Sequence, residues 1–377
     1  MILRAEAELP LKRVTFPPRL DHSWSFTTSA MHARPFKLRS EGTADPQAAH
    51  LHEVDNGVFM LGVAEGASWT DGRPVTPVEL ARCLMRGLAL TAAPDIRILE
   101  ESNAGVRIAA GQRARMVAKF LATSAFSLTP CIRDMSERHT SGPFAIAAID
   151  DGGRTVRLRR RASGAAERDI NEIALVATGS VSEGMDLFKK GALDLTRVLG
   201  GCLDTRYEGP NSTVDLVMGL RGSPGSAIAG TIAANVNCDK LAAVTGGTYL
   251  TAAGHITNLG RKPRKPGVFT QKRLVVQYTD FHPNRNVAEA LLEQLEPIGV
   301  DCQLRAVSYE NYLRGEVPAF GVQLEIIDPV YGTGSGFAAL LQARSTLVCG
   351  DRIRVKGPVV NSRAEIDWDQ IQWGAAC

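Results

Sequence analysis

The residues best suited to chemistry sit in one stretch near the end of the chain. Ile327-Asp328-Pro329 closes an apolar run over 320–327. Asp328 would therefore follow a buried strand and open a loop, where open α/β sheets present groups to ligands. A carboxylate facing a closed cleft holds a cationic group strongly, because a low local dielectric favours a charge-assisted pair. An Asp-Pro pair is also an ordinary way to start a turn. Tyr331 belongs to the same loop and can lie against a ligand. The run Gly332-Thr333-Gly334-Ser335-Gly336 lacks the spacing of a dinucleotide fingerprint and any following Lys-Ser or Lys-Thr pair. It suits a flexible connection whose backbone amides, that of Gly334 among them, can meet an anion such as a ligand carboxylate.

Other chemistries find little support. The seven histidines show no HExxH spacing. His50 and His52 share one face of an extended segment, but two ligands make a poor metal site, so neither a metal nor a cofactor is called for. There is no G-x-S-x-G elbow for an acyl-transfer serine, and no pair of carboxylates stands out as acid and base. No catalytic residue is assigned. The seven cysteines are odd in number, widely spread and without a CxxC pair, which fits reduced core or surface residues. Lys plus Arg is 43 against 40 Asp plus Glu, a formal charge of +3. That balance argues against a protein built to hold nucleic acid or an anionic membrane. The basic runs Arg157–Arg161 and Arg261–Lys265 lack interleaved aromatics and read as solvated faces. No stretch approaches the roughly 18 apolar residues of a membrane span. The first residues, MILRAEAELPLKR, carry charges where a secretory signal has an apolar region. As it stands the sequence implies a cytoplasmic location, or a periplasmic or cell-surface one if a signal precedes it.

These residues must be positioned by an α/β scaffold. A chain of 377 residues allows two or three domains. Strands are expected over 58–63, 95–101, 105–111, 144–150, 155–161, 170–178, 272–279, 300–307 and 320–327. Thr76, Pro77 and Glu79 form a capping box with proline at the first helical position, so a helix starts there. Further helices are expected around 112–123, over 182–191 with Ser182 as cap and Gly191 as stop, over 284–299, and as a short one over 337–344. Strand–helix–strand at 272–307 implies a parallel crossover.

Several segments, in order, resemble the family 5 solute-binding proteins, the peptide- and nickel-binding subunits of ABC importers. They are Trp69-Thr70-Asp71-Gly72-Arg73-Pro74-Val75-Thr76, then Thr140-Ser141-Gly142-Pro143-Phe144, then Phe188-Lys189-Lys190-Gly191-Ala192-Leu193-Asp194. Gln294-Leu295-Glu296-Pro297-Ile298-Gly299 and a terminal segment containing Asp367-Trp368 complete the series. The chain looks like a shortened form, without much of the small extra domain. The resemblance implies a two-lobed, periplasmic-binding-protein-like (type II) α/β fold with a cleft between lobes. Residues 1–215 plus 350–377 would form one lobe and 216–349 the other. It implies a small peptide or amino-acid-like ligand, an ABC importer permease as a further partner, and a monomer. Asp328 would meet the ligand's α-ammonium, as the Asp of the matching element does in peptide-binding members. Trp69, Asp71 and Gly72 would be scaffold. The alternative is a cytoplasmic enzyme or accessory protein of peptide-like natural-product biosynthesis on the same scaffold. A sensor or regulator would need DNA-binding helices, and none is evident.

Overall fold

The computed structural model describes residues 1–7, 10, 29–39, 43–91, 95–130, 139–150, 152–161, 169–199, 213–223, 225–251, 269, 273–313, 317–318, 320–327, 336–356 and 366–374. Within these, a small unit packs against a large mixed sheet.

The small unit holds a four-stranded antiparallel sheet in the order 49–55, 58–63, 105–109, 97–102. The helix Pro77–Thr91 packs on it through Leu80, Ala81, Cys83, Leu84 and Gly87. Burying Leu80 and Leu84 fully contributes about 1.5–3 kcal/mol each. Gly87 is glycine for a reason of space, since a Cβ there would lie 2.3 Å from the Phe126 ring. The capping box forms as read: the Thr76 backbone N–H donates to Glu79 Oε2 at 2.9 Å, and the Glu79 N–H donates to Thr76 Oγ1 at 3.3 Å.

The large sheet runs 301–307, 273–279, 321–327, 213–222, 337–349, 195–199, 2–7, 172–177, 155–160, 144–149. It contains two parallel kernels. In one, 273–279 pairs with 301–307 and with 321–327, which is the crossover expected from the sequence. In the other, 2–7 pairs with 172–177 and 195–199. Antiparallel strands 213–222 and 337–349 join the two. Each kernel has its own core. Leu3, Phe144, Ile173, Leu347 and Trp368 belong to one, and Leu216, Val276, Leu291, Val322 and Leu341 to the other. The strand Phe337–Cys349 feeds both, with Ala338, Leu340, Leu341 and Ala343 in one core and Leu347 in the other.

That strand corrects the sequence reading, which has a helix over 337–344. Ala and Leu favour a helix when exposed. Here the segment is buried along most of its length and hydrogen-bonded on both sides, and tertiary pairing overrides propensity. The helix Val181–Lys189 is capped by Ser180 rather than Ser182, the Ser180 hydroxyl accepting the Glu183 N–H at 3.1 Å. Gly191 ends it with φ of 70°. After the strand Phe337–Cys349 the chain returns to the core of Leu3 and Phe144, where 353–355 pairs with 371–373 and Trp368 is buried.

Candidate functional site

Asp328, Tyr331 and Gly334 lie outside the described residues. What the structure gives is the frame on either side of them. Ile327 pairs with Val217, and Gly336 accepts the Gly222 N–H at 2.9 Å. The Asp328 segment therefore leaves and rejoins the large sheet on either side of the strand Thr213–Gly222.

The strand before it carries a polar face that the sequence reading missed. Register places Arg221 opposite Gln323, and Gln323 beside Gln277, so the three share one face of the sheet. Glu325 lies two residues beyond Gln323 on that face. Arg221 Nε donates to Glu325 Oε2 at 2.6 Å, and its guanidinium lies 5.2 Å from the centre of the Phe337 ring. Gln323 is fully buried. Its Nε2 donates to the Gln277 and Leu324 carbonyl oxygens at 3.3 and 3.1 Å, and its Oε1 has no hydrogen-bond partner among the described residues. The signal was in the alternation Val322-Gln323-Leu324-Glu325, which marks a two-faced strand rather than a uniformly apolar one. At the carboxyl end of the neighbouring strand, Asn284 Nδ2 donates to Thr279 Oγ1 at 2.8 Å, while Asn284 Oδ1 is buried without a partner among the described residues.

The carboxyl end of the other parallel kernel carries Glu6. Its carboxylate accepts from the Thr178 hydroxyl at 2.7 Å, the Thr196 hydroxyl at 2.6 Å and the Arg197 N–H at 3.0 Å. Burial pushes the carboxyl above its ordinary value, against the opposing charge of Arg197 and these three bonds. Gly184 must be glycine here, because a Cβ would come 2.3 Å from Glu6 Oε1. Both kernels thus end in buried polar groups, where ligand groups collect in open α/β sheets.

Trp69, Asp71 and Gly72 build scaffold. The fully buried Trp69 donates Nε1–H to Glu79 Oε2 at 3.2 Å, and Arg73 donates to Glu79 Oε1 at 2.8 Å. Burial opposes ionisation of Glu79, but the bonds from Arg73, the Thr76 backbone, Trp69 and the Thr76 hydroxyl outweigh it and hold the carboxyl below its ordinary value. Gly72 takes a φ of 84° and Asp71 accepts the Arg73 N–H, closing the turn.

The His50 and His52 rings stack 6.5 Å apart on an edge strand. Among the described residues no three His, Cys, Asp or Glu side chains are grouped to hold a metal ion. Burial raises the Cys302 and Cys349 thiols to about 11, so both stay protonated at neutral pH. No helix among the described residues is long and apolar enough to cross a membrane.

Comparison with solved structures decides the architecture. OppA of Listeria monocytogenes bound to peptide superposes with a TM-score of 0.72 at 11% identity, over 100% of this chain and 99% of that one. The chain has the two-lobed solute-binding-protein fold. The Escherichia coli murein tripeptide binding protein MppA matches with a TM-score of 0.71 at 11% identity, over 98% of each chain. NikA from Staphylococcus aureus, in complex with Ni(L-His)2, gives 0.68 at 10% identity over 99% of each. No family model matches the chain, and no curated protein does. Within it, Phe337–Cys349 is a strand shared between the two cores.

Proposed function

We propose that the chain binds a short peptide or amino-acid-like molecule in a cleft between its two lobes, 1–215 plus 350–377 on one side and 216–349 on the other. The observation that carries this reading is the full-length superposition on structures that hold a peptide and an amino-acid complex. In the proposal the Asp328 carboxylate meets the ligand's α-ammonium, Tyr331 lies along it, and the Gly334 amide faces its carboxylate. Strands shared between lobes allow the halves to close and exclude water, which strengthens each charged contact. Delivery to an ABC importer permease completes the proposal and places the working protein, as a monomer, on the outer side of the membrane.

Isothermal titration with a panel of short peptides tests it. Saturable binding is expected, and Asp328→Ala should weaken it by about tenfold or more. Acetylating the peptide amine should cost a similar factor in the native chain and little in the variant. Absence of binding across the panel, or equal affinity of Asp328→Ala and the native chain, would sink the proposal. Mass spectrometry of molecules that co-purify would name the ligand.

A further inference from the structure

In the small unit the strands 49–55 and 58–63 form a hairpin closed by Asn56-Gly57. Phe59 and Leu61 belong to the core under the helix Pro77–Thr91. Alternation then puts His50, His52, Met60 and Gly62 together on the opposite face. In the register His52 stands directly across from Met60, and His50 across from Gly62. Both histidines are exposed and Met60 is half-buried. Directly opposed residues hold their Cβ atoms about 4.5–5.5 Å apart. The Met60 thioether, carried on three rotatable bonds, is therefore within reach of the His52 ring.

Gly62 shapes this face. A Cβ there would strike Nε2 and Cε1 of His50, so the ring leans across the hairpin over the strand that bears Met60. The two imidazoles lie 6.5 Å apart between ring centres, with their planes 13° from parallel. An imidazole nitrogen binds a metal at about 2 Å, which puts its ring centre about 3 Å from the ion. Two rings that bind one ion from opposite sides are then about 6 Å apart between centres. The observed separation is close to that span. Turning each exposed ring about χ2, a soft torsion, brings a nitrogen from both onto a single ion.

We propose that His50, His52 and Met60 form a surface site for a soft monovalent cation, Cu(I). The donor set selects it. A thioether beside two imidazoles suits Cu(I), whereas Mg²⁺ and Ca²⁺ want oxygen ligands and a structural Zn²⁺ wants four nitrogen, sulfur or oxygen donors. Among the described residues no Cys, Asp, Glu or further His makes a third with this pair, so the site favours an ion content with two nitrogens and one sulfur. Charge points the same way. Arg107 stands across from Met60 on the next strand, and its nearest carboxylate, Glu100, is 4.0 Å away. A single positive charge meets half the repulsion from that guanidinium that a double one does.

Cu(I), supplied anaerobically from a bicinchoninate buffer, is the probe, with Zn²⁺ as the control. The full chain is labelled with 15N-histidine and with 13C in its methionine methyl groups. Local signals are needed because the chain also has seven cysteines, and thiolates take Cu(I) as well. The ring nitrogens of His50 and His52 and the Met60 methyl carbon should shift together along one isotherm. Met60→Leu, which keeps the size and the apolar contacts, should weaken Cu(I) at the histidine signals by about tenfold or more. The same variant should leave the Zn²⁺ response unchanged. His50→Gln and His52→Gln should each abolish the Met60 shift. An unmoved Met60 methyl while the rings respond, or native Cu(I) affinity in Met60→Leu, overturns the proposal. So does tighter binding of Zn²⁺ than of Cu(I) at these signals, or silence at all three residues.

Discussion

Two places in the molecule seat carboxylates under cationic and N–H donors, and they do it over very different chain distances. Glu79 collects Trp69, Arg73 and Thr76, all within ten residues. Asp367 and Asp369 collect Lys37 and Arg39, more than three hundred residues away, and Arg160, about two hundred. The first set closes a short loop at small entropic cost and forms with its own helix. The second exists only after the large sheet is assembled and Trp368 has docked, its Nε1–H donating to Ser29 Oγ at 3.0 Å. The Glu79 cluster is thus part of a local folding unit, whereas the terminal clasp reports on completion of the whole fold.

The largest expected effect comes from Glu79→Ala. It strands the Trp69 indole N–H in a dry core and removes the partner of Arg73, at a cost of about 3 kcal/mol in urea denaturation. A loss under about 1 kcal/mol would mean that the motif is decoration.

His32 belongs to neither cluster, and its burial gives stability a pH dependence of its own. Burial lowers its folded pKa to about 3, below the ordinary histidine value of 6.5, so the unfolded chain binds the extra proton first. Stability is therefore fully present above about pH 6.5 and falls as the pH drops below it, by about 2 kcal/mol between pH 7 and 5. His32→Gln should flatten the curve in that window. Glu79 acts lower: its folded value lies below 4.5, so its contribution holds above that pH and disappears as the pH falls through the folded value. A stability curve that stays level from pH 7 to 5 in the native chain would refute the His32 assignment.

Asp367→Asn should cost about 1.5 kcal/mol, since Asp367 is 4% exposed and the amide keeps an acceptor but gives up the charge that faces Lys37 and Arg39. Hydrogen exchange should quicken across 366–373 and stay slow in 77–91. Equal acceleration of both segments would erase the distinction between local unit and clasp. Asp369→Asn, at 49% exposure, should cost less than about 1 kcal/mol.

Legibility followed the same division. The capping box at Thr76 and the crossover at 272–307 were readable because their determinants are neighbours in sequence or repeat with one period. The strand Phe337–Cys349 was not, because nothing within its own Ala- and Leu-rich residues says that partners wait on both sides. The run Arg157–Arg161 reads as one solvated face, yet only Arg157 and Arg159 are exposed. Arg160 lies over the Phe144 ring at 4.7 Å, and Arg161 donates to the Ser68 carbonyl oxygen. Strand alternation explains the first two. The fate of the last two depends on a loop ninety residues earlier and a tail two hundred later.

By itself the amino-acid order determined the pieces: where helices start, which segments alternate as strands, and that Thr76 and Glu79 form one capping box. Short-range steric and hydrogen-bonding preferences suffice for that. Only the assembled fold decided that Phe337–Cys349 is a strand common to two cores, that His32 is neutral, and that Arg161 is tied to the Ser68 loop. Each of these depends on burial and on partners far along the chain, and neither property exists until the chain has folded.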